Sequence, residues 1–523
     1  MRLGGYKTAP NRPGIDRRSA LRLAAGAAAS LPGAFPARAQ RGRTLRVSMT
    51  VPELGDPRLF DMGEQGDLAR GVIEPLVRLD ADGTFRPWLL ERWEVAPDAG
   101  AYRLHLRQGV RWSTGDAFDA RDALANFTRW CDADAPGNSM AARLDALIDP
   151  QTRHLRAGAV EAEGAHVVRL TLSRPDATLI AALTDYPALV VHRDHDPARG
   201  DPPSALAGTG PFRIETHAPG AFARLVSAPQ PWWGGAVGLD AVEFLDLGAD
   251  PAAEVAAFAR GEIDLNRATL PAFAPTLDAL GLTAHRALSG ATVVARMNLK
   301  AEPYADRRIR RALQLLVDNE TVRLIAHRGL GLAAENHHVG PMHPEYAPLP
   351  PPARDPDAAR ALLLEAGSIA WPFELVSIDD DWRSLTADAI AAQLRDGGLT
   401  VRRRIVPAAE HRAAWKSYAF SITDWASRPL GVQTLALAYR SGAAWNETGF
   451  SDPAFDALLD AALGEPDPER RIAPVRELQR ILQDSGAIIQ PYWRSAMAHA
   501  APHVRGFRLH PAQELHLEGV SLA

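Results

Sequence analysis

The clearest hydrophobic pattern in this chain lies in its first quarter. Ala101–Leu106 alternates apolar and polar residues, which is the period of a strand with one buried face. Turn chemistry precedes it at residues 97–100 and recurs at residues 113–116. Asp119 then stands at the N-cap position of an amphipathic segment, Ala120–Trp130. The pattern therefore predicts strand, turn and helix in succession.

A second pattern, late in the chain, predicts a parallel sheet. Residues 373–376 have the composition of a strand, residues 384–396 that of a helix, and residues 401–406 that of a strand again. A strand, helix and strand of these lengths are typical of a parallel α/β unit. Residues 488–493 form a short apolar run that predicts a buried strand near the end of the chain.

Length and composition limit the possible classes of protein. A chain of 523 residues is too long for one hydrophobic core, so two or three domains are expected. The net charge of −5, with no basic stripe, argues against a nucleic-acid partner. A single cysteine, Cys131, excludes an intrachain disulfide, and we interpret it as a packing residue.

The N-terminal segment, residues 1–39, has the features of an export signal. Arg17-Arg18 precedes an alanine-rich apolar run at residues 23–35, and Ala37-Arg38-Ala39 matches the small-x-small cleavage pattern. Gly and Pro interrupt the apolar run, which is too short to span a bilayer. The sequence predicts an exported, periplasmic protein cleaved near Ala39. The paired arginines favour the twin-arginine route, with the general secretory route as the alternative.

Several motifs occur in order and at fixed spacing: Trp93-Glu94-Val95, Leu106-Arg107-Gln108-Gly109-Val110, Gly115-Asp116, Ala120-Arg121-Asp122-Ala123, Gly208-Thr209-Gly210-Pro211-Phe212 and the segment 446–459. They closely resemble the motifs of extracytoplasmic solute-binding proteins of family 5, which serve peptide-type ABC importers. The resemblance extends over nearly all of residues 42–523.

The resemblance implies a fold and a set of domains. The fold would be α/β, the large three-subdomain type II periplasmic-binding-protein fold, with a hinge between two lobes. Lobe I would span residues 40–296 with an inserted subdomain at about 86–207, and lobe II would span residues 297–490. Residues 491–523 would return to lobe I. The resemblance also implies a monomer that closes on a peptide or peptide-like solute, delivers it to permease subunits, and uses no cofactor.

One departure from the family bears on the ligand. Peptide binders of the family have a Trp followed three positions later by an Asp that pairs with the amino terminus of the peptide. Trp425 keeps its place here, and Arg428 stands where the Asp is expected. A guanidinium prefers a carboxylate or phosphate, so we predict a ligand with an acidic group. The alternatives are that Arg428 pairs with an internal acid such as Asp424, or that Asp424 takes over the amine-binding role.

Other residues are weaker candidates for ligand contact. Trp382 and Trp445 offer flat aromatic faces for an organic ligand. Glu53 follows the first strand of the mature chain and is placed to face the cleft. Asn298 flanks the expected crossing between the lobes, where ordering the hinge is the more natural role.

The sequence gives little support to enzymatic alternatives. His192, His195 and His337-His338 lie in segments without a His-Glu-x-x-His pattern, and we interpret them as surface-loop residues rather than metal ligands. No Gly-x-Ser-x-Gly elbow occurs. We therefore predict a binding protein rather than an enzyme. Two alternatives remain: a carrier for a non-peptide solute such as a sugar, opine or metal chelate, and an exported enzyme or sensor on the same fold.

Overall fold

The computed structural model describes residues 43–350 and 353–523. The predicted export signal, residues 1–39, lies outside the described residues. The strands are β1 (Thr44–Ser48), β2 (Val77–Leu79), β3 (Phe85–Pro87), β4 (Leu90–Val95), β5 (Ala101–Leu106), β6 (Val160–Ala162), β7 (Val167–Thr171), β8 (Phe212–Ala218), β9 (Phe222–Ser227), β10 (Ala241–Leu245), β11 (Leu265–Asn266), β12 (Thr283–Met297), β13 (Leu332–Ala333), β14 (Pro372–Ile378), β15 (Thr400–Val406), β16 (Phe420–Trp425), β17 (Ile488–Ala500), β18 (Val504–Arg505) and β19 (Ser521–Leu522).

Helices alternate with many of these strands along the chain. The α-helices are α1 (Gly63–Arg70), α2 (Ala120–Trp130), α3 (Ser139–Arg143), α4 (Leu179–Ala182), α5 (Pro251–Arg260), α6 (Ala274–Ala279), α7 (Arg307–Leu315), α8 (Asn319–Ala326), α9 (Pro356–Glu365), α10 (Asp381–Asp396), α11 (Ala408–Ala414), α12 (Gly431–Tyr439), α13 (Pro453–Leu463) and α14 (Pro468–Ser485). Short 3-10 helices occur at Pro57–Leu59, Asp145–Leu147, Tyr186–Ala188, Pro197–Arg199 and Pro203–Ala205. Within the described residues, none of the helices has the length and apolar character that crossing a membrane requires.

A mixed 11-stranded sheet joins the two halves of the protein, by which we mean the predicted lobes I and II. Its order is β15-β14-β16-β12-β17-β11-β1-β10-β9-β8, with β13 paired to β17. The two long strands β12 and β17 run antiparallel, from the pair Thr283 and Ala500 to the pair Arg296 and Ile488. Their register shifts between Leu288 and Thr292, which leaves residues 289–291 as a bulge. The long strands therefore connect the first-half strands β11 and β1 with the second-half strands β16, β14 and β15.

Several hydrophobic cores stabilise the described part of the chain. One core lies entirely within residues 76–190, around the four-stranded sheet β4-β5-β7-β6. A second packs β1, β10 and β8 against the C-terminal residues. Two others fill the second half of the chain, one around β12, β14 and β16 and one around α12–α14, and the latter also includes Ala181 from the predicted inserted subdomain. The exact lobe boundaries, 296/297 and 490/491, stay predictions, and the second falls inside β17.

The buried Glu74 links the predicted inserted subdomain to the rest of the first half. The Glu74 carboxylate accepts hydrogen bonds from the indole N–H groups of Trp88, Trp232 and Trp233 at 2.9, 3.1 and 2.8 Å. Burial raises the pKa of Glu74 to about 7, although these indoles and Thr209 oppose the shift. Because Trp88 and the adjacent pair Trp232-Trp233 come from two separate segments, one carboxylate fixes the relative positions of these segments.

We expect Glu74 to make stability fall as the pH rises from about 4.5 to about 7. In this window the unfolded chain has released the proton that folded Glu74 still holds, so the folded state loses up to about 3 kcal/mol of relative stability. Urea unfolding at several pH values should show this slope in the wild type and not in Glu74→Gln. Glu365→Gln, at an exposed glutamate, is the control. Equal slopes for the wild type and Glu74→Gln would contradict the assignment.

Candidate functional site

The candidate ligand cleft is built at the carboxyl ends of two parallel strands of the second half. β14 and β16 pair in parallel, with Val376 opposite Ser421. Trp382, in the first turn of α10, follows β14, and Trp425 closes β16. Side chains at the carboxyl ends of parallel strands converge on one edge of the sheet, which is where α/β proteins bind ligands. The bulge at residues 289–291 adjoins the same edge, since Thr292 pairs with Trp425.

Two arginines share one buried aspartate where the halves of the protein meet. Nη2 of Arg143 lies 2.8 Å from Oδ2 of Asp185, and Nη1 of Arg428 lies 3.9 Å from the same oxygen. These are ion pairs without hydrogen-bond geometry, since Oδ2 accepts no hydrogen bond. Arg143 ends α3, Asp185 caps the 3-10 helix Tyr186–Ala188, and Arg428 follows β16. Asp185 thus bridges the predicted inserted subdomain and the predicted second lobe.

This cluster carries one more positive than negative charge. Burial raises the pKa of Asp185, but Arg143 and Arg428 outweigh it and leave that pKa below its usual value. Burial lowers the pKa of Arg428; Asp185 opposes this shift and Arg143 adds to it. The Nε atoms of Arg143 and Arg428 are buried and have no hydrogen-bond acceptor among the described residues. The cluster is therefore able to accept a further anion.

A cavity of about 370 Å³ opens beside the cluster. Its lining comes from residues 142–178 on one side and residues 433–463 on the other. Arg143 and Trp445 both line it, and the Arg143 guanidinium lies 5.7 Å from the centre of the Trp445 ring. Oε1 of Gln433 and Nη2 of Arg440, also in the lining, are buried without hydrogen-bond partners. The volume falls within the usual range for small-molecule sites.

A glutamate that the sequence analysis missed fixes the orientation of Trp425. Oε1 of Glu447 accepts hydrogen bonds from the Trp425 indole at 2.8 Å and the Thr423 hydroxyl at 2.9 Å. Arg296, fully buried, places Nε 4.0 Å from the other carboxylate oxygen. Burial raises the pKa of Glu447, and Arg296 opposes that shift. Trp425 then faces Trp445, with ring centres 6.1 Å apart. The quoted motif 446–459 includes Glu447, but no local pattern marks its side chain as the partner of Trp425.

Asp424 pairs with Arg383 rather than with Arg428. Nη1 of Arg383 donates to Asp424 at 2.6 Å, and Nε of Arg383 donates to Asp380 at 2.6 Å. The internal acid that pairs with Arg428 is therefore Asp185, from the other half of the protein, and not Asp424. Trp382 lies on the Arg383 side of the cleft, between the guanidinium groups of Arg383 and Arg494, which are 4.9 and 4.1 Å from its ring centre.

Two predicted ligand residues lie in other surroundings. The Glu53 side chain is exposed, and its backbone carbonyl accepts a hydrogen bond from Gln65 at 3.1 Å. Oδ1 of Asn298 accepts a hydrogen bond from the backbone N–H of Lys300 at 3.0 Å. The backbone N–H of Asn298 donates to the Ala419 carbonyl at 2.8 Å. Asn298 therefore shapes the turn after β12. Ligand contact at Glu53 and Asn298 stays a prediction.

The interpretation of the histidines as surface-loop residues is wrong for three of them. His337 and His338 are 1% exposed, and Nδ1 of His338 is 2.9 Å from the Tyr439 hydroxyl. His192 is also buried and lies 3.3 Å from Asp116. These segments are irregular in backbone but packed inside the protein, a distinction that sequence pattern does not make. Among the residues that the structure describes, no group of three or more His, Cys, Asp or Glu side chains is arranged to hold a metal ion.

The chain matches the family model described as "Bacterial extracellular solute-binding proteins, family 5 Middle" over residues 84–447. It is 25% identical over 501 residues to the probable di/tripeptide-binding protein 5 of Pseudomonas aeruginosa, covering 89% of this chain and 94% of that protein. It is also 25% identical to the probable deoxycholate-binding periplasmic protein of Escherichia coli, covering 88% of this chain and 89% of the relative.

Solved structures share the fold. The PBP AgaA from A. tumefacien, in complex with agropinic acid, aligns with a TM-score of 0.78 at 21% identity, covering 92% of this chain and 99% of AgaA. The clavulanic acid biosynthesis oligopeptide binding protein 2 aligns with a TM-score of 0.80 at 23% identity, covering 92% of this chain and 96% of that chain. These alignments confirm the predicted α/β periplasmic-binding-protein fold.

Proposed function

The chain belongs to family 5 of the bacterial extracellular solute-binding proteins, and from this premise we propose that it is the periplasmic substrate-binding component of an ABC importer. It captures a peptide or peptide-like small organic solute and delivers it unaltered to the permease subunits. Closure of the two halves about β12 and β17 encloses the solute, and opening releases it. The protein acts as a monomer and carries out no covalent chemistry.

The observation that carries this proposal is the buried cluster of Arg143, Asp185 and Arg428. It lies between the two halves, beside a cavity of suitable size with Trp445 in its lining. A buried guanidinium with an unsatisfied Nε is costly unless a ligand supplies the acceptor. The bound solute supplies an acceptor to the guanidinium groups on both sides of the cleft. Binding is therefore coupled to closure.

The same cluster favours a solute with an acidic group. Arg428 stands where peptide binders of the family carry an Asp, and it shares its only ion-pair partner among the described residues with Arg143. An acidic non-peptide solute is the second candidate. It gains support from relatives whose names include deoxycholate and agropinic acid, both of which are carboxylic acids. Trp425, Trp382 and Trp445 supply aromatic faces, while Asp424, Glu53 and Asn298 complete the proposed contacts.

We expect the mature protein, purified from the periplasm of its own bacterium without denaturation, to carry one bound organic solute. Native mass spectrometry should show a stoichiometric mass increase that disappears on unfolding and refolding. Adding the solute back at 100 times its Kd should stabilise the protein by about 2.7 kcal/mol, visible as a higher Tm. A protein that carries no solute and gains no stability from periplasmic extract would contradict the proposal. Chemical turnover of the solute would favour the enzyme alternative.

A further inference from the structure

A second cationic group lies in the seam, the region where strands β12 and β17 join the two halves of the protein. It is separate from the Arg143–Asp185–Arg428 cluster. Arg494 is in β17, opposite the bulge of β12 at residues 289–291. Its guanidinium stacks 4.1 Å from the centre of the Trp382 ring. The stacking orders the planar group and leaves its edge available for hydrogen bonds.

Arg494 lacks a bonded counter-ion. Within the described residues no carboxylate lies within 4.0 Å of it, its guanidinium makes no hydrogen bond, and its Nε is buried without an acceptor. The nearby acids Asp380 and Asp424 are both held by Arg383 at 2.6 Å. They offset the charge of Arg494 at a distance, but they do not satisfy its donors. The guanidinium is thus held in place and still lacks an acceptor.

A cavity of about 100 Å³ adjoins Arg494 and contains contributions from both halves of the protein. Residues 268–271 come from the first half, His327 and Trp382 from the second, and Ser289 and Ser495 from the crossing strands. The cavity has room for at least three non-hydrogen atoms, because about 10 to 15 Å³ of cavity volume is enough for one water molecule. A carboxylate has that size.

A second unsatisfied donor lies in the wall of this cavity. Nε2 of His327 accepts a hydrogen bond from the backbone N–H of Ser495 at 3.2 Å, so the neutral ring carries its proton on Nδ1. Burial keeps the ring neutral by lowering its pKa to about 4. Nδ1 of His327 is buried and has no acceptor in the described part of the chain. Arg494 and His327 thus line one small cavity, and each has a buried donor nitrogen that lacks an acceptor.

We propose that Arg494, stacked on Trp382 and assisted by His327, binds a carboxylate group of the transported solute. Of the hydroxyls in the lining, Ser495 donates to the Ala287 carbonyl and Thr269 is bonded to Nδ1 of His499, whereas Ser289 accepts from the backbone N–H of Ala291 and keeps its own O–H as a further donor. The inference deepens and rests on the proposed function, because it names the chemical class of solute that the cleft selects. It is separate from the role of Arg428, which belongs to the neighbouring cluster.

The test offers ligand-free mature protein a small-molecule extract of its source bacterium in two forms. One portion is untreated, and in the other all carboxyl groups are converted to methylamides. Retained solutes are identified by mass spectrometry, and the affinity for the main one is measured by calorimetry. We expect wild type to retain a solute only from the untreated portion. Arg494→Gln should weaken that solute at least 30-fold, and Arg494→Lys should weaken it less, because it keeps the charge but loses the fork.

Controls separate the outcomes. Arg308→Gln, at a solvent-facing arginine paired with Asp306, should bind like the wild type. Ligand-free Arg494→Gln should keep the wild-type circular dichroism spectrum and a cooperative unfolding transition, so that lost binding is not lost folding. Equal affinity in Arg494→Gln and wild type, or equal retention from both portions of extract, overturns the inference and leaves the proposed function standing. Retention of nothing from either portion overturns the proposed function itself.

Discussion

Replacing Asp185 by asparagine is expected to lower the free energy of unfolding by about 3 to 5 kcal/mol. The substitution leaves Arg143 and Arg428 buried together without the carboxylate that both of them approach. Their repulsion adds to the cost of their desolvation. Because the folded pKa of Asp185 is depressed, its contribution is complete above the usual aspartate pKa of about 3.9 and is lost as the pH falls through the folded value. The difference between wild type and variant should therefore shrink in acid.

Urea unfolding of ligand-free protein at pH 7 and at pH 3 measures both effects. Asp240→Asn is a matched control, because Asp240 also pairs with an arginine, Arg43, but at an exposed site where solvent screens the pair and its contribution to stability is small. Removing one repelling charge with Arg143→Gln in the Asp185→Asn background should restore part of the loss. If Asp185→Asn costs no more than Asp240→Asn, the cluster does not have the electrostatic importance assigned to it.

Local signals in the sequence predicted local structure well. The alternation at Ala101–Leu106 and the capped amphipathic segment Ala120–Trp130 correspond to β5 and α2 with the same bounds, and Asp119 accepts a hydrogen bond from the backbone of Arg121 at 2.9 Å. The buried strand expected at residues 488–493 was found, but β17 continues to Ala500. Its second part contains the half-buried Arg494 and Ser495 and the buried His499, and a hydropathy pattern does not anticipate polar residues in such a strand.

The charge pairs of the cleft could not be predicted in the same way. Asp185 and Arg428 are far apart in sequence, and nothing in either segment marks them as neighbours. Arg428 does pair with an internal acid, but this acid is Asp185. The nearest acid in sequence, Asp424, pairs with Arg383. Glu447 and Arg494 were not identified from the sequence for the same reason, since Trp425 and Trp382, which they contact, lie in distant elements of the chain. The sequence around a single charged residue does not predict its partners, because the fold brings those partners from distant segments.

Arg428→Gln should have the opposite profile from Asp185→Asn. We expect the affinity for the acidic solute to fall by about 2 to 5 kcal/mol, or about 30-fold to several thousand-fold in Kd, because a desolvated charge-assisted contact is lost. The stability of the ligand-free protein should stay level or rise. Asp185 keeps Arg143 at 2.8 Å, and the repulsion between the two guanidinium groups is removed. Calorimetry with the solute recovered from the periplasm, and urea unfolding without it, measure the two quantities on the same preparations.

Comparison with Arg494→Gln then tells how many acidic groups the solute presents. If the two losses of binding free energy add in the double variant, each arginine binds its own acidic group, since independent contacts are additive. If the double variant loses little more than either single variant, both arginines serve one group. Arg308→Gln again controls for the loss of an arginine as such. An unchanged Kd in Arg428→Gln would mean that Arg428 only balances Asp185, and that selection of the solute depends on other residues of the cleft.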